Sequence, residues 1–588
     1  MRALIETGVL GGLPGGHRLA RALSAVQVPA TVQAILAARI DRLAAGDKRL
    51  LQAAAVIGRD VPFGLLRDVT ELGEEDLRAS LGRLQAAALL QEAALFPELE
   101  YTFTHALTHE VAYQSLLHER RRALHGRIVE AIESAHGDRL AEHVGRLGHH
   151  ALRAENWDAA VGYLRQAGVR AAVRSATVEA VDYFAKGIEA LAHLPEDRRR
   201  QRLELDLQIA LGPALMVARG YGAPEVARAY QRARELCREV GEASERFAAL
   251  HGLWLHHWLQ GDARAVLDLT REMLVVAEDA QDRVLQLVAH EVMGEVTTYT
   301  GEFEAARSHM AECLAMHDPA LHRGLAFRYG GYDPPIASRV IGAHALWYLG
   351  RPDDALDWSR EGLARARELS HPPTLVFALA HAAILHCHRR DTARTLAAAE
   401  EAIAVSRDQG IEGWGDFSEI LVGWALAQEG RGADGIARLR HGLVGYRAVF
   451  GELEGPLWLV LLADAHRLVG EPAAGLDAVA EALWRAEAIG FHCEDAEVHR
   501  LRGELLLAEG AVGEDEAARS FRRAIEIAVG QGALSLELRA TVRLARLLAR
   551  QGARDAARRS LAEVFGRFTE GFDTADLRDC RILLEELS

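Results

Sequence analysis

Few residues of this chain combine a type and a spacing that could do chemistry on a nucleotide. A phosphate-binding loop needs glycine amides around the phosphates and a lysine that reaches their oxygens. The only lysines are Lys48 and Lys186, and neither follows a glycine. The glycine-rich run Gly8–Gly16 lacks a lysine and is interpreted as an ordinary turn. The sequence therefore predicts that the chain is not a self-sufficient P-loop ATPase.

Histidines lie close together at several places, and such groups could hold a metal ion. A helical zinc pair needs two histidines four residues apart and a further ligand nearby. His381 and His386 are five residues apart, and adjacent histidines point to different helix faces. We therefore interpret these groups as structural: His149-His150, His256-His257, and His381 with His386 and His388.

Other arrangements that could support catalysis are also missing. The chain offers no nucleophile beside a base, and no strand-rich domain with paired aspartates that could hold two metal ions next to a nucleotide. We expect no catalytic residue, no metal site and no cofactor of this chain's own. The sequence predicts a binding protein and not an enzyme.

Tryptophans recur along the later part of the chain and are candidates for recognition. Most are expected to be wedges between helices, while a minority could line a groove that holds a peptide or a small effector. Sequence spacing alone does not separate the two groups. They are Trp254, Trp258, Trp347, Trp358, Trp414, Trp424, Trp458 and Trp484.

These residues must be positioned by a repeated helical hairpin. A glycine or a polar substitute precedes a helix start every 39 to 49 residues, at positions 261, 301, 350, 391, 430, 470, 513 and 552. The following helices carry apolar residues at helical spacing, as in Ile436, Leu439, Leu443 and Tyr446. A period near 40 exceeds the ~34 of a tetratricopeptide (TPR) repeat. The pattern predicts an all-α, right-handed, TPR-like α-solenoid.

The amino-terminal segment has a different pattern, which predicts a small winged-helix-like domain with one β-hairpin. Its helices are followed by two short strands and by a further helix that leads into the repeats. The expected helices are Val28–Leu43, Lys48–Ile57, Pro62–Val69, Glu74–Ala88 and Leu124–Glu133, and the expected strands are Leu89–Glu92 and Glu100–Thr104, with Phe96-Pro97 at the turn.

Composition limits the compartment and the partners. The formal net charge is −16, and nearly all of the excess lies after residue 136, so a nucleic-acid partner is not expected. Arginine triplets at 120–122 and 198–200 follow acidic residues and are interpreted as solvated helix faces. The five cysteines form no C-x-x-C pair, and no apolar run could cross a membrane. We expect a cytoplasmic protein without a membrane partner.

Four stretches carry a resemblance to a known family. They are Val28–Leu43, Leu51–Gly58, Phe96–Tyr113, and the last hundred residues from Glu497 through Phe568–Leu577. Together they resemble the carboxyl-terminal portion of bacterial signalling proteins that join a class III adenylate/guanylate cyclase domain, a STAND-type AAA ATPase and TPR-like repeats. The repeat array also resembles that of MalT-like regulators. The similarity covers most of the chain, and the combination of stretches is more specific than any one of them.

The resemblance implies a division of the chain and a role for one histidine. Residues 1–46 would be the end of an ATPase lid, residues 47–136 the winged-helix-like domain and residues 137–588 the repeats. STAND ATPases that resemble this segment place a histidine at the end of a winged-helix strand, against the β-phosphate of ADP. His105 occupies that position here, and its imidazole could donate a hydrogen bond to the phosphate. The alternative is a structural, helix-capping histidine.

The resemblance also implies a function without catalysis. The chain would be the regulatory, protein-interaction region of such a signalling protein, either truncated or a split subunit. Its partners would be a protein or small-molecule effector on the array and an ATPase/cyclase domain in cis or in trans, and ATP or ADP would bind only if such a domain were supplied. Two alternatives stay open: cyclase or ATP-binding activity that belongs to the parent protein, and a fragment of a MalT-like transcriptional regulator.

Overall fold

The protein forms two compact units, Met1–Ala214 and Leu215–Ser588. The computed structural model describes residues 10–11, 18–19, 30–94, 99–220, 222–319, 322, 324–328, 331–451, 453–510 and 513–588. Most of the run Gly8–Gly16 and the turn at Phe96-Pro97 lie outside these residues. The division falls inside the helix Arg198–Arg219. The domain boundaries inferred from sequence, at residues 46 and 136, stay predictions.

Helices account for most of the described part of the first unit. Two short strands, β1 (Leu10–Gly11) and β2 (Arg18–Leu19), pair antiparallel ahead of them. The helices are Ala30–Asp41, Ala45–Ile57, Phe63–Thr70, Glu74–Ala86, Ala106–Gln114, His118–Ala135, Val144–Arg153, Trp157–Val173, Thr177–Leu191 and Arg198–Arg219, with a 3₁₀ segment at Gly137–His143.

A three-stranded antiparallel sheet gives the first unit its winged-helix arrangement. The strands β3 (Asp60–Pro62), β4 (Leu90–Ala94) and β5 (Glu100–Phe103) lie in the order β3-β5-β4. The predicted hairpin is confirmed, with Leu90 opposite Phe103. Strand β3 was not predicted, because three residues ending in proline show no alternation of polar and apolar side chains.

The second unit is a TPR-like solenoid of paired helices. Consecutive helices pack as antiparallel hairpins, and each hairpin covers the apolar face of the next. The helices are Pro224–Val240, Ala243–Gln260, Ala263–Asp279, Arg283–Thr300, Phe303–Met316, Leu325–Arg328, Pro334–Tyr348, Pro352–Leu369, Pro372–His388, Thr392–Gln409, Trp414–Gln428, Gly432–Phe450, Gly455–Leu468, Pro472–Ile489, Asp495–Glu509, Glu514–Gln531, Leu534–Arg550, Arg554–Phe565 and Ala575–Glu586.

Most of the recurring glycines mark the turn inside a hairpin. Gly301, Gly350 and Gly430 have φ values of 87°, 81° and 86°, in the left-handed region that glycine adopts without strain. Where the pattern lacks a glycine, Arg390 takes the same conformation at φ 58°. The spacing of these residues in the sequence is therefore the spacing at which the same backbone turn recurs.

Glycines inside helices allow the closest contacts between paired helices. A Cβ atom added to Gly423 would lie 2.6 Å from the Leu439 nitrogen, and one added to Gly435 would lie 2.5 Å from the Gly423 carbonyl oxygen. Small residues at facing positions let two helices approach closely. In this hairpin glycines at facing positions bring the two backbones closer than alanine would permit.

The array also contacts itself over long sequence separations. The amides of His492 and Cys493 donate to the Tyr299 carbonyl at 2.9 and 3.1 Å. The Ser535 hydroxyl donates to the Trp347 carbonyl at 2.6 Å across a separation of 188 residues, and the Asp353 amide donates to the Glu570 carboxylate across 217 residues. Hairpins four to five repeats apart therefore pack directly against each other inside the second unit.

Candidate functional site

His105, the predicted nucleotide sensor, is an exposed residue at the start of a helix. It follows β5 almost directly and is the N-cap residue of Ala106–Gln114. Its backbone carbonyl accepts a hydrogen bond from the Thr108 amide at 2.9 Å, whereas its imidazole makes no capping hydrogen bond. The ring is therefore accessible to a ligand. Its role as a phosphate sensor stays a prediction.

Histidines from two neighbouring hairpins gather inside the second unit. His344 Nε2 lies 3.0 Å from the carbonyl oxygen of His381, and the His388 ring stacks on Trp347 at a centroid distance of 4.6 Å. Burial lowers the pKa of all three imidazoles, so they are neutral at pH 7. Within the part of the chain that the structure describes, no group of three or more His, Cys, Asp or Glu residues could hold a metal ion.

A buried ion network, absent from the sequence predictions, lies beside these histidines. Its centre is one face of the helix Asp495–Glu509, where Glu497, Arg500 and Glu504 follow each other at spacings of three and four residues. Arg500 donates two hydrogen bonds to Glu497, both at 2.8 Å, and its Nη1 lies 2.9 Å from Glu504 Oε2. Each of these side chains is at most 12 % exposed.

The next hairpin extends this buried ion network. Arg539 pairs with Asp576 at 2.8 Å, lies 3.5 Å from Glu497 Oε1, and donates to the carbonyl of His388. Arg543 pairs with Glu504, and Arg467 lies 3.3 Å from the same carboxylate. The outer members of the network are Arg390 with Asp576 and Asp579, at 3.1 and 2.8 Å, and Arg467 with Asp464, at 2.7 Å.

Arginines keep the central carboxylates ionised despite their burial. Burial opposes ionisation of Glu497, but Arg500 and Arg539 outweigh it and lower the pKa of Glu497 to about 2. Burial likewise opposes ionisation of Glu504, and Arg500, Arg543 and Arg467 lower the pKa of that carboxyl. The interior of the array therefore holds stable, paired charges at neutral pH.

The network surrounds a small cavity of about 120 Å³. Its wall includes Arg539, Arg543, Glu504 and the indole of Trp424, which donates to Asp464 at 3.4 Å. A cavity of this size can hold several water molecules or the charged end of a side chain. Its charged side chains suit a charged group better than an apolar one.

Two tyrosine–glutamate contacts close the adjacent part of the interior. Tyr299 donates to Glu454, and Tyr348 donates to Glu494, across separations of 155 and 146 residues. Burial raises the pKa of each of the two carboxyls to about 7, against the hydrogen bonds from the tyrosines. Unlike Glu497, these carboxyls have no arginine close enough to outweigh burial.

These two contacts occupy equivalent positions in successive repeats. Each tyrosine stands two residues before the turn glycine of its hairpin, Gly301 or Gly350. Each glutamate is the N-cap residue of a first hairpin helix, and the two are 40 positions apart. The spacing of 40 positions can be read from the sequence, but it does not show which hairpins contact each other.

Most of the recurring tryptophans are core residues, as sequence analysis expected. Trp254, Trp258 and Trp458 are buried between hairpins. Trp347 and Trp424 are also buried but contact the ion network, since the Arg539 guanidinium lies 4.8 Å from the Trp347 ring. The remaining three are half-buried or exposed: Trp358, Trp414 and Trp484.

Within the described residues, no helix is both long and apolar enough to cross a bilayer. This holds although several helices, such as Pro372–His388, are buried nearly all round. Their apolar surface is covered by neighbouring hairpins.

Comparison with known proteins gives one sequence relative and several structural neighbours. No family model matches the chain. It is 26% identical over 530 residues to an uncharacterized protein of Rhizobium meliloti, and the match covers 90% of this chain and 51% of the relative. The chain thus spans about half the length of that protein.

The structural neighbours are helical-repeat proteins of low sequence identity. One is a Rap protein complexed with competence and sporulation factor, at a TM-score of 0.47 and 12% identity, covering 63% of this chain and 99% of the other. Another is a Signal Transduction ATPase with Numerous Domains (STAND) protein with a TPR sensor from Pyrococcus horikoshii, at 0.36 and 12%, covering 74% and 68%.

Proposed function

We propose that this chain is the non-catalytic, partner-binding region of a signalling protein of the cyclase/STAND-ATPase type. The repeat array binds a protein or small-molecule effector, and the winged-helix domain passes the signal to a nucleotide-switched ATPase in cis or in trans. The observation that carries the proposal is the buried ion network inside the array.

A gain in stability does not by itself explain why the array contains a buried ion network. Removing charges from water is costly, and well-packed apolar side chains in place of a buried ion pair are often as stable or more so. Buried charges are better suited to fixing one arrangement of hairpins over another, because a misplaced partner leaves a charge unpaired. Glu497, Arg500 and Arg539 join helices from successive hairpins in this way. An effector that changed their pairing would change the arrangement of the array.

His105 supplies the nucleotide-dependent part of the proposal. It is exposed and follows the last strand of the winged-helix sheet. There an ATPase domain could place the β-phosphate of ADP within reach of the imidazole. The hydrogen bond would favour the ADP-bound, inactive state of the ATPase.

Nucleotide turnover by the native protein tests the proposal. The protein is immunoprecipitated from its own cells with an antibody to the array, and ATP hydrolysis and cyclic nucleotide production are compared with those of the purified recombinant 64.2 kDa chain. We expect activity in the precipitate and none in the recombinant chain. Activity of the recombinant chain would contradict its non-catalytic role. Inactivity of both would contradict the link to an ATPase or a cyclase.

Replacement of His105 tests the sensor role in the same native protein. His105→Ala removes the proposed phosphate contact, and we expect bound ADP to leave about tenfold faster, as for the loss of one hydrogen bond to a charged group. Retention of labelled ADP after gel filtration measures this rate. His441→Ala, at another exposed histidine, is the matched control. Equal ADP release from the two variants would make His105 a structural residue.

A further inference from the structure

A groove with basic walls lies at the carboxyl-terminal end of the array. It has a volume of about 620 Å³, within the range of ligand-binding clefts. The helices Asp495–Glu509, Leu534–Arg550 and Ala575–Glu586 contribute to its walls. Arg467, Glu504 and Arg543 line both this groove and the cavity of the buried ion network, so the two spaces adjoin.

One helix face supplies the row of cations in this basic groove. Arg539, Arg543, Arg546 and Arg550 follow each other at spacings of four, three and four residues on Leu534–Arg550, and such residues share one face of a helix. Arg539 is in the buried ion network, whereas the other three line the groove. With a rise of about 1.5 Å per residue, these three span roughly 10 Å.

The outer two arginines of the row lack a partner within the described chain. Arg546 and Arg550 are exposed, and neither guanidinium group forms an ion pair or a hydrogen bond with another described residue. This contrasts with Arg543, which pairs with Glu504. Two exposed guanidinium groups on one helix face are therefore available to a ligand.

The charge of the basic groove is opposite to that of the whole chain. Five arginines line it, with only two carboxylates, although the chain has a net charge of −16. Glu504 is already shared by Arg467, Arg500 and Arg543. The lining therefore has an excess of positive charge. The arginines are Arg467, Arg543, Arg546, Arg550 and Arg554, and the carboxylates are Glu504 and Glu586.

Apolar side chains complete the basic groove. Leu507, Phe521 and Leu583 come from three different helices, Leu587 directly follows the last of these, and all four line the groove. Phe521 is fully buried and the two carboxyl-terminal leucines nearly so. A ligand that fits both parts of the surface must offer negative charge along one side and an apolar group on the other.

We propose that this groove binds an acidic peptide segment of a partner protein, with its carboxylates against Arg546 and Arg550 and an apolar side chain over Leu507 and Leu583. The proposal rests on the proposed function, in which the array binds a partner, and names the chemistry of that partner. Carboxylates four residues apart on a helix, or two apart on a strand, are separated by about 6 to 7 Å, which matches the spacing of Arg546 and Arg550 along their helix.

Binding of a defined probe tests this proposal. The probe is a fluorescein-labelled peptide of four Glu-Glu-Leu repeats, titrated with the purified full chain at low salt and followed by fluorescence anisotropy. We expect saturable binding that weakens as salt is added, because the contacts are between charges. A peptide of four Gln-Gln-Leu repeats should not bind.

Variants of exposed arginines localise the binding. Arg546→Glu with Arg550→Glu should weaken binding about tenfold or more, since it replaces attraction by repulsion at two contacts. Arg558→Glu with Arg559→Glu makes the same change of charge at exposed positions outside the groove and should weaken binding less than about twofold. All four positions are exposed, so both variants should keep the helical circular dichroism of the wild type.

Several outcomes would overturn the proposal. One is failure of the acidic probe to bind at about 100 μM, a weak affinity for a specific site. Another is equal loss of binding in the two double variants, which would indicate general attraction to surface charge. Equal or tighter binding of a twelve-nucleotide single-stranded DNA in the same groove would favour a nucleic-acid ligand. None of these results bears on nucleotide turnover by the native protein, so the proposed function is judged separately.

Discussion

At the scale of single residues, three buried carboxyls of the array are of two kinds. Glu497 is held ionised by two arginines, whereas Glu454 and Glu494 face tyrosines and have pKa values near 7. All three are buried. The difference between them is therefore the nearest partner and not the degree of burial.

Replacement of Arg500 tests the carboxyl that arginines hold ionised, Glu497. Arg500→Ala leaves Glu497 without its bidentate partner and Glu504 with one arginine fewer. We expect a loss of about 3–5 kcal/mol in the free energy of unfolding, because breaking a buried pair leaves an uncompensated charge. Chemical denaturation measures it. The control is Arg431→Ala, whose exposed pair with Asp434 should contribute about 0–1 kcal/mol. Similar losses in both variants would mean that the network is not buried in solution.

The carboxyls that face tyrosines, Glu454 and Glu494, should make the stability of the protein depend on pH. A carboxyl whose pKa is raised on folding stabilises the protein below its unfolded pKa, and this stability is lost as pH rises through the folded value. For Glu454 and Glu494 the window runs from 4.5 to about 7. Glutamine imitates the protonated form, so Glu454→Gln with Glu494→Gln should match the wild type near pH 4 and exceed its thermal midpoint at pH 8.

The matched control for this experiment is an exposed glutamate. Glu429→Gln should change the midpoint little and equally at both pH values. The comparison of variant with wild type also cancels the contribution of the buried histidines, whose lowered pKa values act in the opposite direction. A double variant that is less stable than the wild type at pH 8 would contradict the raised pKa values.

At the scale of elements, local patterns predicted the helical hairpins well. The turn glycines, the apolar spacing and the β4–β5 hairpin depend on neighbours within a few residues, and the structure confirms them. The helix expected at Leu124–Glu133 is longer, His118–Ala135. Its first turns carry charged side chains with no apolar periodicity, so the pattern could not show where it begins.

Alanine variants of two turn glycines distinguish the cost of backbone strain from the cost of a clash between distant hairpins. Gly350 and Gly430 have similar positive φ values, but a Cβ atom on Gly350 would lie 2.7 Å from a Leu534 methyl group, while nothing lies within 4 Å of one on Gly430. Gly430→Ala should cost about 1 kcal/mol through φ alone. Gly350→Ala should cost about 1–2 kcal/mol more, from the clash.

Thermal or chemical unfolding of both alanine variants measures this difference. The wild type and the two variants should have the same helical content before unfolding. Equal destabilisation would indicate that the hairpins of Gly350 and Leu534 do not touch in solution.

At the scale of the second unit, hairpins that are far apart in the sequence pack against each other. A chain of repeats in contact only with their neighbours responds locally to the loss of its last repeat. Here Asp576 and Asp579, in the final helix, pair with Arg390, which lies 186 and 189 residues earlier. Removal of the last helices should therefore destabilise the structure around Arg390, far earlier in the sequence.

Truncation after Gly552 tests this long-range contact. It removes Arg554–Phe565 and Ala575–Glu586 together with the partners of Arg390. Hydrogen exchange should become faster at the end of Pro372–His388 and in the turn at Arg390, as well as in the adjacent Leu534–Arg550. Exchange in Ala243–Gln260 is the internal reference. A change confined to Leu534–Arg550 would contradict the contact between distant hairpins.

The sequence by itself determined the class of fold, the period of the array and the place of His105 just after a strand. Each depends on residues within one or two helical turns, where spacing alone decides which side chains are neighbours. Only the tertiary structure decided that Tyr348 meets Glu494 and that Arg390 meets Asp576. These contacts depend on small rotations accumulated over four or five hairpins, and no local pattern fixes that sum.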